Sequence, residues 1–277
     1  MLGILLAAAT ALVWGTADYC GGRASQRGNA LGVTVVSQLF SVPVLAVCVL
    51  LVPGRLYAAD FAWGAGAGVA GLLGIVLLYR GLATGAMAVV APITAVTSAL
   101  VPMGVGLLVE RLPSALALGG AVCAVAAIGL VSLGSSGQVA RASASVVVLA
   151  LSSGAMFGVF FVLLSRVHDD SGMWPLTGVR LASVVLGLLL VAQRGASLRV
   201  PRALIVWTAA AGIGDVAANA LFVLAAREGL LSVVGPISAL YPVSTVLLAL
   251  VVDKERVRAV QMAGLGLAAA ALVLTAV

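Results

Sequence analysis

The sequence predicts an all-α integral membrane protein, with ten transmembrane helices arranged as two inverted five-helix repeats around a central cavity. Composition, the length of the apolar runs and an internal repeat lead to this fold. Hydrophobic residues make up 63% of the 277 residues and charged residues only 9%, whereas about a quarter of an ordinary soluble domain is charged. The chain is therefore expected to lie almost entirely within a lipid bilayer.

The apolar runs are long enough to cross a membrane, since a spanning helix takes about 20 residues. Their continuous apolar character differs from the alternating pattern of an outer-membrane strand, which excludes a barrel. Ten spans are predicted, at residues 2–20, 31–52, 61–79, 87–109, 115–133, 146–165, 174–193, 204–226, 230–252 and 257–277. A Gly/Ser-rich linker at 135–145 separates a first repeat, 1–134, from a second, 146–277.

The internal repeat is clearest in the fourth and ninth spans. The segment VVAPITAV in the fourth resembles VVGPISAL in the ninth, which aligns Pro92 with Pro236. Each copy leads to an acidic residue, Glu110 in the first and Glu255 in the second. Because each repeat has an odd number of spans, the copies enter the membrane in opposite orientations, as in many secondary transporters.

Glycines recur inside the third span at spacings of three and four. Gly64, Gly68, Gly71 and Gly74 would lie along one side of the helix. Small residues at such spacings let helix backbones approach closely within lipid. We expect this side to pack tightly against neighbouring helices.

Other classes of protein lack support in the sequence. It contains no phosphate-binding loop and no catalytic triad, so no enzyme activity, ATP use, cofactor or metal site is predicted. The net charge of +6 is spread singly among the loops, which indicates topology signals and not a nucleic-acid partner. The cluster His168, Asp169 and Asp170 resembles an acid/base site, but a solvated turn is expected there.

Several motifs occur in a characteristic order: ALVWGTAD in the first span, PLTGVRLASVVLGLLL in the seventh, and the AxPI and GPI segments of the fourth and ninth. In this order they resemble the drug/metabolite transporter superfamily, specifically its EamA-type members. The resemblance implies a basket of ten helices that exports small metabolites or amino acids across the inner or plasma membrane. Gln38 stands where the second helix of the family often carries the arginine seen at Arg180.

The orientation of the chain is left open. The resemblance implies cytoplasmic termini, whereas more of the Lys and Arg residues lie in the loops that would then be outside. The positive-inside rule favours the opposite orientation.

Polar and aromatic side chains inside the spans are the candidate substrate site, because a charge at the centre of a spanning helix costs about 2.5–3.5 kcal/mol. Asp18 lies one turn after Trp14, so the two share a helix face; it is the candidate for binding a cationic group or for proton coupling. Asp215 and Asn219 have the same spacing. The candidate substrate-binding residues are Trp14, Asp18, Tyr79, Thr94, Ser98, Asp215, Asn219, Phe222 and Tyr241.

Two further features concern the same region. Pro92, Pro102, Pro236 and Pro242 are expected to kink or interrupt the fourth and ninth spans and to free backbone carbonyl groups. Arg180 is expected either to neutralise Asp215 or a substrate carboxylate, or to extend its side chain to the membrane surface.

These features favour a secondary transporter that moves a small molecule by alternating access. A lipid-carrier flippase of the same superfamily is one alternative, and a membrane-embedded enzyme acting on lipids is another. The partners expected are the small-molecule substrate and the bilayer. Because the chain would contain both repeats, a monomer is expected.

Overall fold

The structure is a computed structural model, and it describes residues 1–82, 87–134, 143–252 and 258–276. Within these ranges the chain is helical and has no β-strand. The helices are α1 (Leu2–Arg27), α2 (Ala30–Leu51), α3 (Ala58–Leu82), α4 (Met87–Val109), α5 (Ala115–Gly134), α6 (Ala144–Leu164), α7 (Trp174–Arg194), α8 (Ile205–Glu228), α9 (Leu231–Ser238), α10 (Tyr241–Val252) and α11 (Ala259–Ala276). Single 3-10 turns lie at Asp169–Ser171 and Arg202–Leu204.

The helices fall where the apolar runs predict them. In the described residues, six helical segments are long and apolar enough to span a bilayer; they lie in α1, α2, α3, α6, α7 and α8. Shorter apolar helical segments lie at Ile93–Val109, Ala115–Val131, Leu231–Ser244 and Ala259–Thr275. The all-helical membrane fold is thereby confirmed. Glu255 and most of the predicted linker, residues 135–142, lie outside the described residues.

The ninth predicted span is two helices and not one. α9 ends at Ser238 and α10 begins at Tyr241. Pro242 has no N–H to donate to the Ser238 carbonyl, so a regular helical bond is impossible at this point. The chain instead makes a tighter turn, in which the Leu240 N–H donates to the Ile237 carbonyl at 3.1 Å. A discontinuous helix of this kind leaves polar backbone groups available inside the bundle.

The fourth span behaves differently from the ninth. α4 continues through Pro92 and Pro102 without a break. Of the two interruptions predicted from the prolines, only the one in the ninth span is therefore present as a break between helices.

The bundle is built from close helix pairs. α1 packs along α8, α3 packs on both α6 and α7, α4 packs on α6, and α5 packs on α11. α2 lies against α8, while α9 and α10 lie against α1. The core between them is rich in alanine, for example Ala7, Ala99 and Ala218, each of which is fully buried.

The glycines of α3 explain its close approach to α7. A Cβ atom at Gly64 would collide with the carbonyl oxygen of Pro175, and one at Gly68 would collide with that of Val179. One turn further on, the ring of Phe160 lies against Gly71. The tight packing predicted for this side of the third span is confirmed.

Candidate substrate site

Side chains from three helices converge on the carboxylate of Asp215 in α8. Arg180 of α7 donates from Nη2 to Oδ2 at 2.8 Å, which forms an ion pair. Trp14 of α1 donates from Nε1 to Oδ1 at 3.3 Å. Asn219, one turn along α8, donates from Nδ2 to Oδ2 at 3.3 Å. The two alternatives considered for Arg180 are thus resolved in favour of the Asp215 partner.

An aromatic cluster surrounds the indole of Trp14. The ring centroids of Phe160, Phe161 and Phe222 lie 6.0, 5.3 and 6.3 Å from that of Trp14. Phe222 is fully buried, whereas Trp14 is only partly buried. Phe222 therefore packs against Trp14 on its buried side, and Trp14 is the member of this pair that a ligand can reach.

Asp18 belongs to the same region. Asp18 is exposed. It interacts electrostatically with Asp215 and with Tyr241 of α10. Tyr241 in turn shares a hydrogen bond with Ser98 of α4. Asp18 thus lies near a second carboxylate, that of Asp215, which is itself paired with Arg180.

Several buried polar atoms here have no hydrogen-bond partner among the described residues. They are Nε of Arg180, Oδ1 of Asn219, Oγ of Ser238 at the end of α9, and Oε1 of Gln38. Natural proteins leave few buried polar atoms unpaired, and such atoms often mark a place where water or a ligand binds. Arg180 and Asn219 are both bonded to Asp215, so the Asp215 cluster carries buried polar atoms that a ligand could bind.

The remaining predicted residues lie elsewhere or are not described. Thr94 donates from Oγ1 to the Ala150 carbonyl at 3.1 Å, so it ties α4 to α6. The side chains of Tyr79 and Pro92 lie outside the described residues. Phe160 and Phe161 were missed by the sequence reasoning, although the aromatic pair in GVFFVLL was a possible signal.

A second polar cluster lies at the membrane face where α2 ends and α7 begins. His168 interacts through Nδ1 with Oδ1 of Asp60 at 2.8 Å, and its backbone N–H donates to Oδ2 of the same residue at 3.2 Å. The ring of His168 stacks on Tyr57 at 4.8 Å. Asp60, at the start of α3, is fully buried, whereas the side chain of His168 is 60% exposed.

Further bonds complete this cluster. Tyr57 donates its hydroxyl to Oδ2 of Asp170 at 2.6 Å. Arg227, at the end of α8, donates to the carbonyl groups of His168 and Gly172 at 3.3 and 2.8 Å. The cluster is an exposed turn, as expected, but this loop after α6 is also bonded to α3, to the loop before it and to α8.

The cluster also changes two pKa values. The hydrogen bond to Asp60, together with the charge of that carboxylate, raises the pKa of His168 above its ordinary value of 6.5. The hydrogen bond to Asp170 raises the pKa of the Tyr57 phenol. His168 is therefore the group of this cluster whose charge changes near neutral pH.

Comparisons with known proteins support the fold and the family. The chain resembles a protein of known crystal structure with a TM-score of 0.81 and 17% sequence identity, and the likeness covers 98% of this chain and 95% of the other. No protein with a curated description matches the sequence. The family model of the EamA-like transporter family matches residues 144–277. That match confirms the resemblance found in the sequence: residues 144–277 are similar to the EamA-like transporter family.

Proposed function

We propose that the protein is a secondary exporter of small metabolites or amino acids and that it works by alternating access. The observation that carries this proposal is the site formed by Trp14, Asp18, Arg180 and Asp215 inside the membrane-spanning helices. Charged groups are costly inside a membrane and usually mark a substrate or ion pathway. The family match supports transport as the activity, and the inner or plasma membrane is the location we propose.

The arrangement of two inverted repeats, 1–134 and 146–277, is part of the proposal. Exchanging the first five spans with the last five converts the contact of α1 with α8 into that of α6 with α3. It likewise converts α2 on α8 into α7 on α3, and α4 on α6 into the ninth span on α1. All of these contacts occur, which supports a two-fold relation between the repeats. A monomer then contains both halves.

We assign distinct roles to the two carboxylates. Asp215 is held by Arg180, Trp14 and Asn219 and keeps the site in shape. Asp18 is accessible and has the repulsive charge of Asp215 nearby, so its carboxylate is the group that gains most from binding a proton or an ammonium group. The indole of Trp14 adds an aromatic face, which attracts cations. Substrate and proton would compete for Asp18, and this competition couples export to a proton gradient.

The test is export from proteoliposomes loaded with a mixed panel of amino acids and small metabolites, with and without a pH gradient. Wild type is compared with Asp18→Asn, which keeps the shape of the side chain but cannot take up a proton. Thr16→Ala is the matched control, because Thr16 is an exposed residue of the same helix whose hydroxyl donates only to its own helix, at the Leu12 carbonyl. We expect the wild type and the control to export one class of compound with gradient dependence, and Asp18→Asn to lose that dependence.

Equal export by all three proteins would mean that Asp18 is structural and that transport is facilitated. If the wild type exports none of the compounds, the result contradicts the exporter function and favours the lipid-carrier flippase. One observation favours this second candidate: an apolar groove between α2 and α7 that is open to the side of the bundle. A flippase would move a fluorescent lipid between leaflets equally well with Asp18→Asn.

A further inference from the structure

A lateral groove runs between α2 and α7 on the outside of the bundle. It has a volume of about 560 Å³. One face of α2, from Leu39 to Leu50, forms one wall, and one face of α7, from Trp174 to Val184, forms the other. Lining residues recur every three or four positions on both helices, so each wall is a single helix face.

The groove has the length of one leaflet of a bilayer. At 1.5 Å per residue, the lining segments of α2 and α7 are each about 15–17 Å long, which is half of the roughly 30 Å hydrocarbon core. α2 ends just after Leu50, and α7 begins at Trp174. The groove therefore starts at the membrane face that carries His168 and Asp60, and it ends near the middle of the bilayer.

The walls of the groove suit a hydrocarbon chain. Leu39, Val42 and Leu181 are exposed on its rim, where the surrounding medium is lipid. Trp174 lies at its mouth, at the depth where tryptophan side chains prefer the boundary between lipid headgroups and hydrocarbon. Between the mouth and Arg180 the lining is apolar except for Thr177, whose hydroxyl donates to the Trp174 carbonyl at 2.6 Å.

Arg180 links the groove to the substrate site. Among the described residues it is the one charged residue that lines the groove, and it is only 6% exposed. Its guanidinium group holds Asp215 at 2.8 Å on the inner side. Apolar atoms in the groove would keep water away from this ion pair, and an ion pair is stronger where water is excluded.

We propose that the lateral groove binds one acyl chain of a phospholipid from the leaflet at this face, and that this resident chain stabilises the Arg180–Asp215 ion pair of the substrate site. The lipid is neither the exported substrate nor a molecule that is moved between the leaflets. It stays in the groove, and it shields the side of the bundle on which α2 and α7 are in limited contact. Export then depends on the lipid as well as on the substrate site.

The test uses the full chain in phosphatidylethanolamine vesicles that contain a small, increasing fraction of a phospholipid with a photoreactive diazirine in one acyl chain. Ala46→Trp fills the groove with an indole, since Ala46 lines it and is exposed. Val47→Trp is the matched control, because Val47 is the next residue of α2, is 50% exposed and does not line the groove. Labelled peptides are mapped by mass spectrometry.

We expect labelling of residues 174–184 to saturate at low lipid fraction in the wild type and in Val47→Trp, as binding at a site requires. In Ala46→Trp it should fall several-fold and become proportional to the lipid fraction. Proportional labelling in the wild type, or equal labelling in all three proteins, would overturn the proposal. So would transfer of the labelled lipid to the other leaflet, because the groove would then be a flippase path.

The link to Arg180 is tested separately by export from the same vesicles. Ala46→Trp should export several-fold more slowly than Val47→Trp, provided that both proteins elute as the wild type does on size exclusion. Loss of labelling with unchanged export would show that the chain binds but has no influence on Arg180. Photolabelling needs no transport substrate, so its outcome does not depend on whether the proposed exporter function is correct.

Discussion

The ion pair between Arg180 and Asp215 joins α7 to α8 at the centre of the site. The side chain of Arg180 is 7% exposed and that of Asp215 is 41% exposed. Removing one partner of a fully buried pair costs about 3–5 kcal/mol, but part of this cost is screened when one partner reaches water. The loss of Arg180 also leaves Asp215 facing the charge of Asp18. The pair should therefore matter more for neutralising Asp215 beside Asp18 than for the overall stability of the fold.

Arg180→Gln should lower the free energy of unfolding by about 1–3 kcal/mol, because a charged carboxylate loses its partner inside the bundle. The double variant Arg180→Gln with Asp215→Asn should regain part of that loss. The measurement is the melting temperature in detergent for a double-mutant cycle, with Arg166→Gln as the control on an exposed arginine. Strictly additive effects of the two substitutions would contradict a direct interaction.

At the membrane face where α2 ends and α7 begins, His168 makes the stability of the protein depend on pH. Its pKa in the folded protein is raised above 6.5 by Asp60, so the folded state binds the proton more tightly than the unfolded state does. The stabilisation is complete below about pH 6.5, and it is lost as the pH rises through the elevated pKa. Asp169 and Asp170 also raise the pKa of the ring, and the guanidinium of Arg227 donates to the His168 carbonyl.

The variant His168→Gln removes the titrating group and keeps a hydrogen-bonding side chain, so it should lose this dependence on pH. The wild type should melt at a higher temperature than the variant at pH 5.5, and the difference should shrink as the pH is raised to 8.5. Melting curves at a series of pH values check this. A difference that stays constant with pH would mean that the ring acts only by stacking on Tyr57, which packs 4.8 Å away.

Helix packing depends on where a glycine lies on its helix and not on the presence of glycine alone. In α3, a Cβ atom at Gly68 would collide with the Val179 carbonyl, whereas one at Gly66 would make an ordinary contact at 3.4 Å with Leu163. Backbone atoms of α7 cannot move aside as a side chain can. Gly68→Ala should therefore separate α3 from α7.

We expect Gly68→Ala to destabilise the protein by about 1–3 kcal/mol, the usual cost of overpacking. Gly66→Ala should be neutral or slightly stabilising, because alanine favours a helix over glycine by about 1 kcal/mol. The two melting temperatures, measured under the same conditions, form a matched comparison within one helix. Equal losses would show that helix propensity and not the contact with Val179 decides the outcome.

Local patterns predicted the helices well and the breaks in them poorly. Span positions depend on length and apolar character, which are read within about 20 residues. Pro102 and Pro242 both interrupt an apolar run, but only Pro242 is preceded by a break between helices. The difference depends on neighbours: Gly235 of α9 packs against the ring of Pro102, and no local pattern contains that contact.

The site was predictable to the extent that charges inside a membrane need partners. Asp215 and Arg180 could be chosen as candidates for that reason, and Trp14 because it shares a helix face with Asp18, although their pairing required the structure. The cluster at the membrane face could not be predicted, because Asp60 lies 108 residues away from His168. A carboxylate at the start of a helix looks the same in sequence whether it is solvated or buried.

The contacts at this face cross from the first half of the chain to the second. Tyr57 lies just before α3, and Asp170 lies in the loop after α6, yet the phenol donates to the carboxylate at 2.6 Å. If the halves rock against each other during transport, this contact must open once in each cycle. Holding it closed should stop export without disturbing the substrate site.

Tyr57→Cys with Asp170→Cys, in a chain whose three native cysteines are replaced, allows this to be measured. A short cleavable bis-maleimide should abolish export from proteoliposomes, and reduction of the linker should restore it, because only the separation of the halves is blocked. Each single-cysteine variant treated in the same way should keep its activity. If the linked protein exports as fast as the unlinked one, the halves do not separate at this face, and the alternating-access mechanism must use movements within one half instead.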